Sequence, residues 1–280
     1  MLRRAGVLAA ALVILTTGAF GSACAQAPDE PDAASPDADE SNPQLTASLK
    51  GLWSDVTAYY TAPVHWSGRS WAYFGGALAA VGLAHHFDSD VRSHFAQGSG
   101  ISATGKDPNE ISDALPAAGL LLGTWAYAEM VDDDDARTVA HSMLEAATLA
   151  SATGFALKFL AGRERPNQTT DPNRWRAGGS SFPSLHLTAA YAVGTVFAES
   201  GEGGYLWMTR VLGYGLAAFT GYQRLKHNGH WLSDVVAGTA LGTATGAFMV
   251  ERTYHLGALS GLTVVPLDRG VLIAYHKRLR

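Results

Sequence analysis

The sequence predicts an all-α protein: a bundle of about six main helices with a short β-hairpin at its C-terminal end. Three observations lead there. Apolar segments longer than an ordinary strand recur through the middle of the chain, separated by clusters of Gly, Pro, Asn and Asp. Hydrophobic residues make up 47% of the chain and charged residues 16%, against about 25% charged in an average soluble domain. Short β-favouring runs stand out only near the end, at Leu262–Val265 and Val271–Tyr275, flanking the turn-forming stretch Pro266–Gly270.

The elements follow in order. Residues 1–25 have the layout of an export signal: Arg3 and Arg4, an apolar stretch Val7–Phe20, then Ala23-Cys24-Ala25 with cleavage expected after Ala25. Two other fates stay open, lipoprotein processing at Cys24 and retention as an uncleaved anchor. All three put the rest of the chain outside the cytoplasm or in a membrane. Residues 26–45 are mostly Pro, Asp, Ala and Ser, and are expected to form a disordered acidic linker. The helical domain is expected over 46–255, with folding starting near Thr46–Trp53, and the hairpin extension over 256–280. After one short helix, the six longer segments are Ser70–Ala84, Asp113–Ala128, Thr138–Leu160, Leu187–Ala198, Tyr205–Gln223 and Trp231–Val250. Charge-free runs such as Ala114–Ala128 and Val235–Val250 fall short of the roughly 20 residues that span a bilayer. Their Gly, Ala and Thr content suits close helix packing in either setting, so a soluble bundle and shallow or tilted spans both stay open.

Composition excludes several function classes. A net charge of -5 excludes a strongly basic nucleic-acid binder, and no nucleic-acid partner is expected. With a single cysteine there is no intrachain disulfide and no cysteine-built zinc site.

Three clusters carry chemistry, each at a helix end or in the loop beside it. The first runs from Lys158 to Arg165-Pro166, with six residues between Lys and Arg. The second is Pro183-Ser184-Leu185-His186. The third is Arg224, five residues, His230, three residues, Asp234. A lone Lys158 closing an apolar helix complements the carbonyl end of the dipole, and a lone Arg165 or Arg224 is a solvated helix-end residue. Together the three set positive charge around one anion, with planar Arg donors and a Lys point charge suited to a tetrahedral oxyanion. Ser184-Leu185-His186 opens a helix, where backbone N–H groups bind anions and the Ser hydroxyl adds a donor; a plain N-cap is the alternative for Ser184. His230 and Asp234, four apart, share a helix face if Trp231–Val250 is helical, so that Asp234 can fix the tautomer of His230 and prepare it as a nucleophile or base.

These clusters, in this order, resemble the type 2 phosphatidic acid phosphatase superfamily, whose signature has Lys, six residues, Arg-Pro; then Pro-Ser-Gly-His; then Ser-Arg, five residues, His, three residues, Asp. The resemblance covers Lys158 to Asp234 in its motifs and about Leu52–Val250 in its helical setting. It implies that His230 is the nucleophile that becomes a phosphohistidine, that Asp234 orients it, and that His186 protonates the leaving oxygen. Lys158, Arg165, Ser184, the Leu185 N–H and Arg224 would form the phosphate cradle. Two positions depart from the signature: Leu185 stands in place of Gly, which makes the pocket narrower or greasier, and Gln223 in place of Ser.

The expected function is therefore a metal-independent phosphatase, with no metal and no cofactor, hydrolysing phosphomonoesters or pyrophosphates through phosphohistidine. The favoured substrate is a membrane lipid phosphate, such as phosphatidic acid or polyprenyl pyrophosphate, with membrane association. The enzyme is expected to be periplasmic, or in the inner membrane with its site facing the periplasm. The alternatives are a soluble broad-specificity periplasmic acid phosphatase, a vanadium haloperoxidase and a lipid-phosphate-binding protein without turnover. A haloacid dehalogenase-type reading of Asp88-Ser-Asp90-Val91 requires a preceding buried strand, whereas a helix-like run precedes it, so a polar turn is the simpler expectation.

Other features are read structurally. Arg163, Arg174 and Arg176 are expected in a solvated basic loop, with contact to a second phosphate or a head group as the alternative. His227 is either a helix-end residue or a partner behind the site. Glu145, inside an apolar helix, needs an ion-pair partner. Asp132–Asp135 is a solvated helix start. Trp53, Tyr59, Tyr60, Trp66 and Trp71 form an aromatic entrance, suited to a membrane interface or to core packing.

Overall fold

The computed structural model describes residues 43–95, 109–260, 262–267 and 270–275. The chain divides into two units, 1–50 and 51–280. Of the first, only the helical start at 43–50 is described; the expected export signal and most of the linker lie outside the described residues.

The described residues are mostly helical, as the sequence predicts. The helices are α1 (Pro43–Thr61), α2 (Gly68–His86), α3 (Asp88–Phe95), α4 (Glu110–Val131), α5 (Asp134–Ala161), α6 (Leu185–Ala198), α7 (Leu206–Lys226) and α8 (Leu232–Ser260). Local chemistry sets several ends. The Ser67 hydroxyl accepts the Ser70 N–H at 3.2 Å and starts α2, and Asp133 Oδ1 accepts the Ala136 N–H at 3.0 Å and starts α5. Gly162 ends α5 in the left-handed region (φ 52°), its N–H donating to the Lys158 carbonyl at 3.0 Å. Several boundaries differ from expectation. Helix α1 begins at Pro43, inside the expected linker; proline fits a first helical turn, where its missing N–H costs nothing. Helix α8 continues to Ser260 rather than stopping at Val250. Beyond it, Leu262–Leu267 and Gly270–Tyr275 pair antiparallel, Leu262 opposite Tyr275.

Helix α6 is the buried centre, packed against α5, α7 and α8. Its Ala192, Val193 and Val196 join Met143, Ala146, Leu149 and Ala150 of α5 and Met249 of α8 in the main core. Small residues let the backbones approach. A Cβ at Gly238 would lie 2.6 Å from the Ser184 carbonyl, one at Gly242 2.3 Å from the Thr188 carbonyl, and one at Gly246 2.7 Å from Thr195 Cβ. No side chain fits at such distances, so this glycine row sets how closely α8 lies on α6. The row also fixes direction: 238, 242 and 246 climb with 184, 188 and 195, so α6 and α8 run parallel. Gly194 of α6 opposes Gly213 of α7, and Leu187 opposes Gly221, so α7 runs the other way. Helix α5 also runs antiparallel to α6, Gly154 meeting Leu185 while Lys158 reaches back to the Ser180 carbonyl. The C-terminal ends of α5 and α7 therefore share one end of the fold with the N-terminal ends of α6 and α8.

The exterior is unusually apolar. Val64, Ile111, Met130 and Phe159 are each more than 80% exposed, and Trp53, Tyr60 and Trp71 of the aromatic entrance are exposed too, so core packing does not account for them. Tyr59 and Trp66 are half-buried, and Trp66, Trp71 and Phe74 meet in edge-on and tilted ring contacts. Among the described residues one helix, α5, is long and apolar enough to cross a membrane.

Candidate active site

The shared end gathers the three sequence clusters. Lys158 closes α5, Ser184 precedes α6, Arg224 lies in the last turn of α7, and His230 precedes α8. Two cations thus sit where helix carbonyls end, and two helix N-termini point N–H groups at the same region. Direct bonds stitch the clusters together. The Ser184 N–H donates to the Asp234 carbonyl at 3.1 Å, and the Trp231 indole donates to the Glu164 carbonyl at 2.9 Å. Between Arg224 and His230 the chain turns through Asn228 in the left-handed region (φ 55°), and the Gly229 N–H closes the turn on the Arg224 carbonyl at 3.0 Å.

His230 is buried, with its Nδ1 3.5 Å from Asp234 Oδ2. The pair is adjacent, but the hydrogen bond expected from the i,i+4 spacing is not closed, and Nδ1 has no hydrogen-bond partner among the described residues. Asp234 is held by other donors. Its Oδ1 accepts from Arg163 at 2.6 Å; its Oδ2 accepts from the Trp231 N–H at 2.9 Å and from the Ser181 hydroxyl. Burial pushes the Asp234 carboxyl pKa up, and the Arg163 charge, the Ser181 hydroxyl and the Trp231 N–H pull it back. Burial, then the charges of Arg224, Lys158, Arg165 and His186, hold His230 well below the usual histidine pKa. That shift favours the neutral imidazole.

The residues expected to form the cradle differ in how they are held. Lys158 Nζ donates to the Ser180 carbonyl, and burial followed by the neighbouring Arg165 brings its pKa down to about 7, with Asp234 pulling the other way. Arg224 is fully buried, and its Nη1 donates to Asp113 Oδ2 at 2.8 Å. Arg165 and His186 are half-buried. His186 Nε2 sits 2.8 Å from the Glu110 carbonyl; burial and the Arg224 charge lower its pKa, while that carbonyl opposes them. Ser184 is not a plain side-chain cap. Its hydroxyl caps nothing and is buried without a hydrogen-bond partner among the described residues. The Leu185 side chain is lodged against Gly154, one turn before Lys158.

Sequence reasoning missed three residues. Arg163, expected in a solvated loop, is fully buried between Asp88 and Asp234, at 2.6 Å from each. Asp88, expected in a polar turn, is buried at the start of α3. Asp113, read only as a helix start, is buried and takes both Arg224 and His227 Nδ1, the latter at 3.1 Å, so His227 belongs behind the site. A polar residue next to an apolar segment was the available signal, but it does not separate burial from exposure. Arg174, by contrast, is exposed and pairs with Glu164 at 3.3 Å, and Arg176 is exposed. Arg137 bridges Asp132, Asp134 and Glu129 at the start of α5. Glu145 lies beside the Arg252–Asp55 pair.

Residues 140–256 match the PAP2 superfamily. The lipid A 1-phosphatase of Porphyromonas gingivalis is 37% identical over 89 residues, which cover 32% of this chain and 18% of that protein. The matched stretch is thus less than a fifth of the relative's length. No solved structure matches the chain. Every cluster residue from Lys158 to Asp234 falls inside the matched 140–256, the stretch over which the chain is similar to the PAP2 superfamily.

Proposed function

We propose that the chain is a metal-independent phosphatase that works through a phosphohistidine on His230. The observation that carries this reading is the gathering of Lys158 and Arg224, each in the last turn of its helix, at the end of the fold that holds the buried His230, with Arg165 just beyond α5. Phosphoryl transfer asks the protein mainly for positioning and charge stabilisation, and a guanidinium and ammonium cluster supplies both. The nitrogen of His230 turned away from Asp234 attacks phosphorus; the P–N bond forms as the bond to the leaving oxygen breaks. His186 gives that oxygen a proton. Its Nε2–H stays on the Glu110 carbonyl, which steadies the imidazolium while the other nitrogen does the transfer. Water then attacks the phosphohistidine, His186 takes a proton from it, and phosphate leaves with His230 regenerated. The Ser184 hydroxyl and the Leu185 N–H complete the cradle.

The substrate is a phosphate carried on a lipid. The relative named for lipid A and the apolar exterior both favour this class over small soluble esters. The same reading includes a membrane-associated, exported enzyme with its site on the periplasmic side, and a domain layout of six main helices closing on the site with a terminal hairpin. The test is phosphate release from phosphatidic acid and from a small soluble monoester, in excess EDTA, by the chain without residues 1–25 and by its His230→Ala variant. We expect release that survives EDTA, favours the lipid and vanishes in the variant, with an acid-labile phosphoenzyme trapped on the parent chain. Near-parental activity in a folded His230→Ala variant would sink the mechanism, and loss of activity in EDTA would point to metal chemistry.

A further inference from the structure

Behind His230 lies a polar junction that touches no substrate position. The Arg163 guanidinium is wholly buried and all its donors are engaged. Nη1 donates to Asp234 Oδ1 at 2.6 Å and to the Ser233 hydroxyl at 2.8 Å; Nη2 donates to Asp88 Oδ2 at 2.6 Å and to the Pro172 carbonyl at 2.8 Å; Nε donates to the same carbonyl at 3.1 Å. Trp175 and Trp231 cover the guanidinium at 4.4 and 5.4 Å from its central carbon. Arg163 therefore has no donor left for a phosphate.

Asp88, on the far side, is equally committed. Its Oδ1 accepts the Ser233 N–H at 2.8 Å, and its Oδ2 accepts the Ser233 hydroxyl at 2.7 Å. The Trp231 N–H, just before α8, and the Ser233 N–H, in its first turn, are taken by Asp234 and Asp88 respectively. Asp88 thus caps α8 from a different helix, and so fixes where His230 stands.

We infer that Asp88 and Arg163 are positioning residues, which set both the orientation and the effective charge of Asp234 toward His230. The inference rests on the phosphatase reading above. One guanidinium is shared between two carboxylates, and His85 completes the junction with its Nδ1 2.8 Å from Asp88 Oδ2 and 3.1 Å from Arg163 Nη2. With Asp88 ionised, Arg163 is drawn partly away from Asp234, whose Oδ2 keeps negative charge facing His230 Nδ1 at 3.5 Å. That charge is needed when His230 turns cationic on forming the P–N bond. Without Asp88, Arg163 neutralises Asp234 alone. Without Arg163, two buried carboxylates repel and Asp234 loses its anchor.

The test compares Asp88→Asn, Arg163→Lys and Arg163→Met with the parent chain, and Arg174→Ala serves as a surface control. Asp88→Asn retains shape and removes one charge. We expect kcat to fall on the order of 10–100-fold, the range for loss of an outer partner of an oriented histidine, with KM near the parental value. Arg163→Lys, with its charge kept but its fork lost, should lie between Arg163→Met and the parent. Nitrogen NMR of labelled histidine should show the His230 ring signals displaced in Asp88→Asn. Parental kcat in a folded Asp88→Asn variant overturns the inference. So does a change in KM alone, or a loss of activity that follows melting temperature while the His230 signals stay put. Unfolding of all three variants overturns it as well, because the junction would then be structural. If the parent itself releases no phosphate, the phosphatase reading fails; the His230 signals still report whether Asp88 acts on that ring.

Discussion

Helix α8 has two regions built on opposite rules. At its start, from His230 to Asp234, polar atoms are buried and Asp88, Arg163 and Ser181 engage the carboxylate and the leading N–H groups. Along its body, Gly238, Gly242 and Gly246 remove side chains altogether, so that α6 lies against bare backbone. The first region is specific because the Trp231 and Ser233 N–H groups each have an assigned carboxylate; the second is specific because nothing larger than hydrogen fits. The contrast teaches that one helix can be fixed in space by two unrelated devices. Hydrogen bonds hold the start of α8 beside His230, and steric closeness sets how deep the helix lies on α6.

The two devices should fail differently. The largest effect expected from the seam is Gly242→Ala, whose Cβ would sit 2.3 Å from the Thr188 carbonyl. Overpacking of this kind costs about 1–3 kcal/mol, and an unyielding backbone contact puts this site toward the upper end. Denaturant melts measure the loss. The fraction that remains folded should keep its KM, whereas an equal loss of binding would mean that seam and site are not separable.

A second effect, at the polar end, comes from Lys158. Its pKa of about 7 lies below the ordinary 10.5, so between those values the unfolded chain holds a proton that the folded chain lacks. Stability should therefore rise with pH across that window. Activity should go the other way, because kcat/KM loses one cradle cation as pH climbs through about 7. Opposite slopes in a melting series and a rate series would sharpen the comparison; parallel slopes would break it. Lys158→Met should flatten the stability slope. The smallest effect is that of Arg174→Ala, where an exposed ion pair with Glu164 is lost and the melting temperature should not move.

The helices and the three clusters were legible because their signals are local. Apolar runs, caps and fixed spacings within a few residues mark Lys158, Arg165, Ser184, His186, Arg224, His230 and Asp234 directly. Asp88 and Asp113 were not legible as site supports. Their partners lie 75 residues away at Arg163 and 111 away at Arg224, and pairing over such distances leaves no mark on short-range pattern. Arg163 sits inside the first cluster, yet neither charge nor position told it apart from the exposed Arg174. The glycine content of the last helix was visible, but which glycines face α6 depends on register, and register is a property of two helices together.

The contact between Leu185 and Gly154 has an evolutionary consequence. A Cβ on residue 154 would meet Leu185 Cδ2 at 2.8 Å, so the two positions share one volume. A homologue with glycine at 185 would leave that volume empty, and a larger residue at 154 would refill it. The two sites should therefore vary as a pair, and Leu185→Gly joined to Gly154→Ala should lose less stability than the single changes sum to. On that view the leucine is half of an exchange whose other half sits on the neighbouring helix.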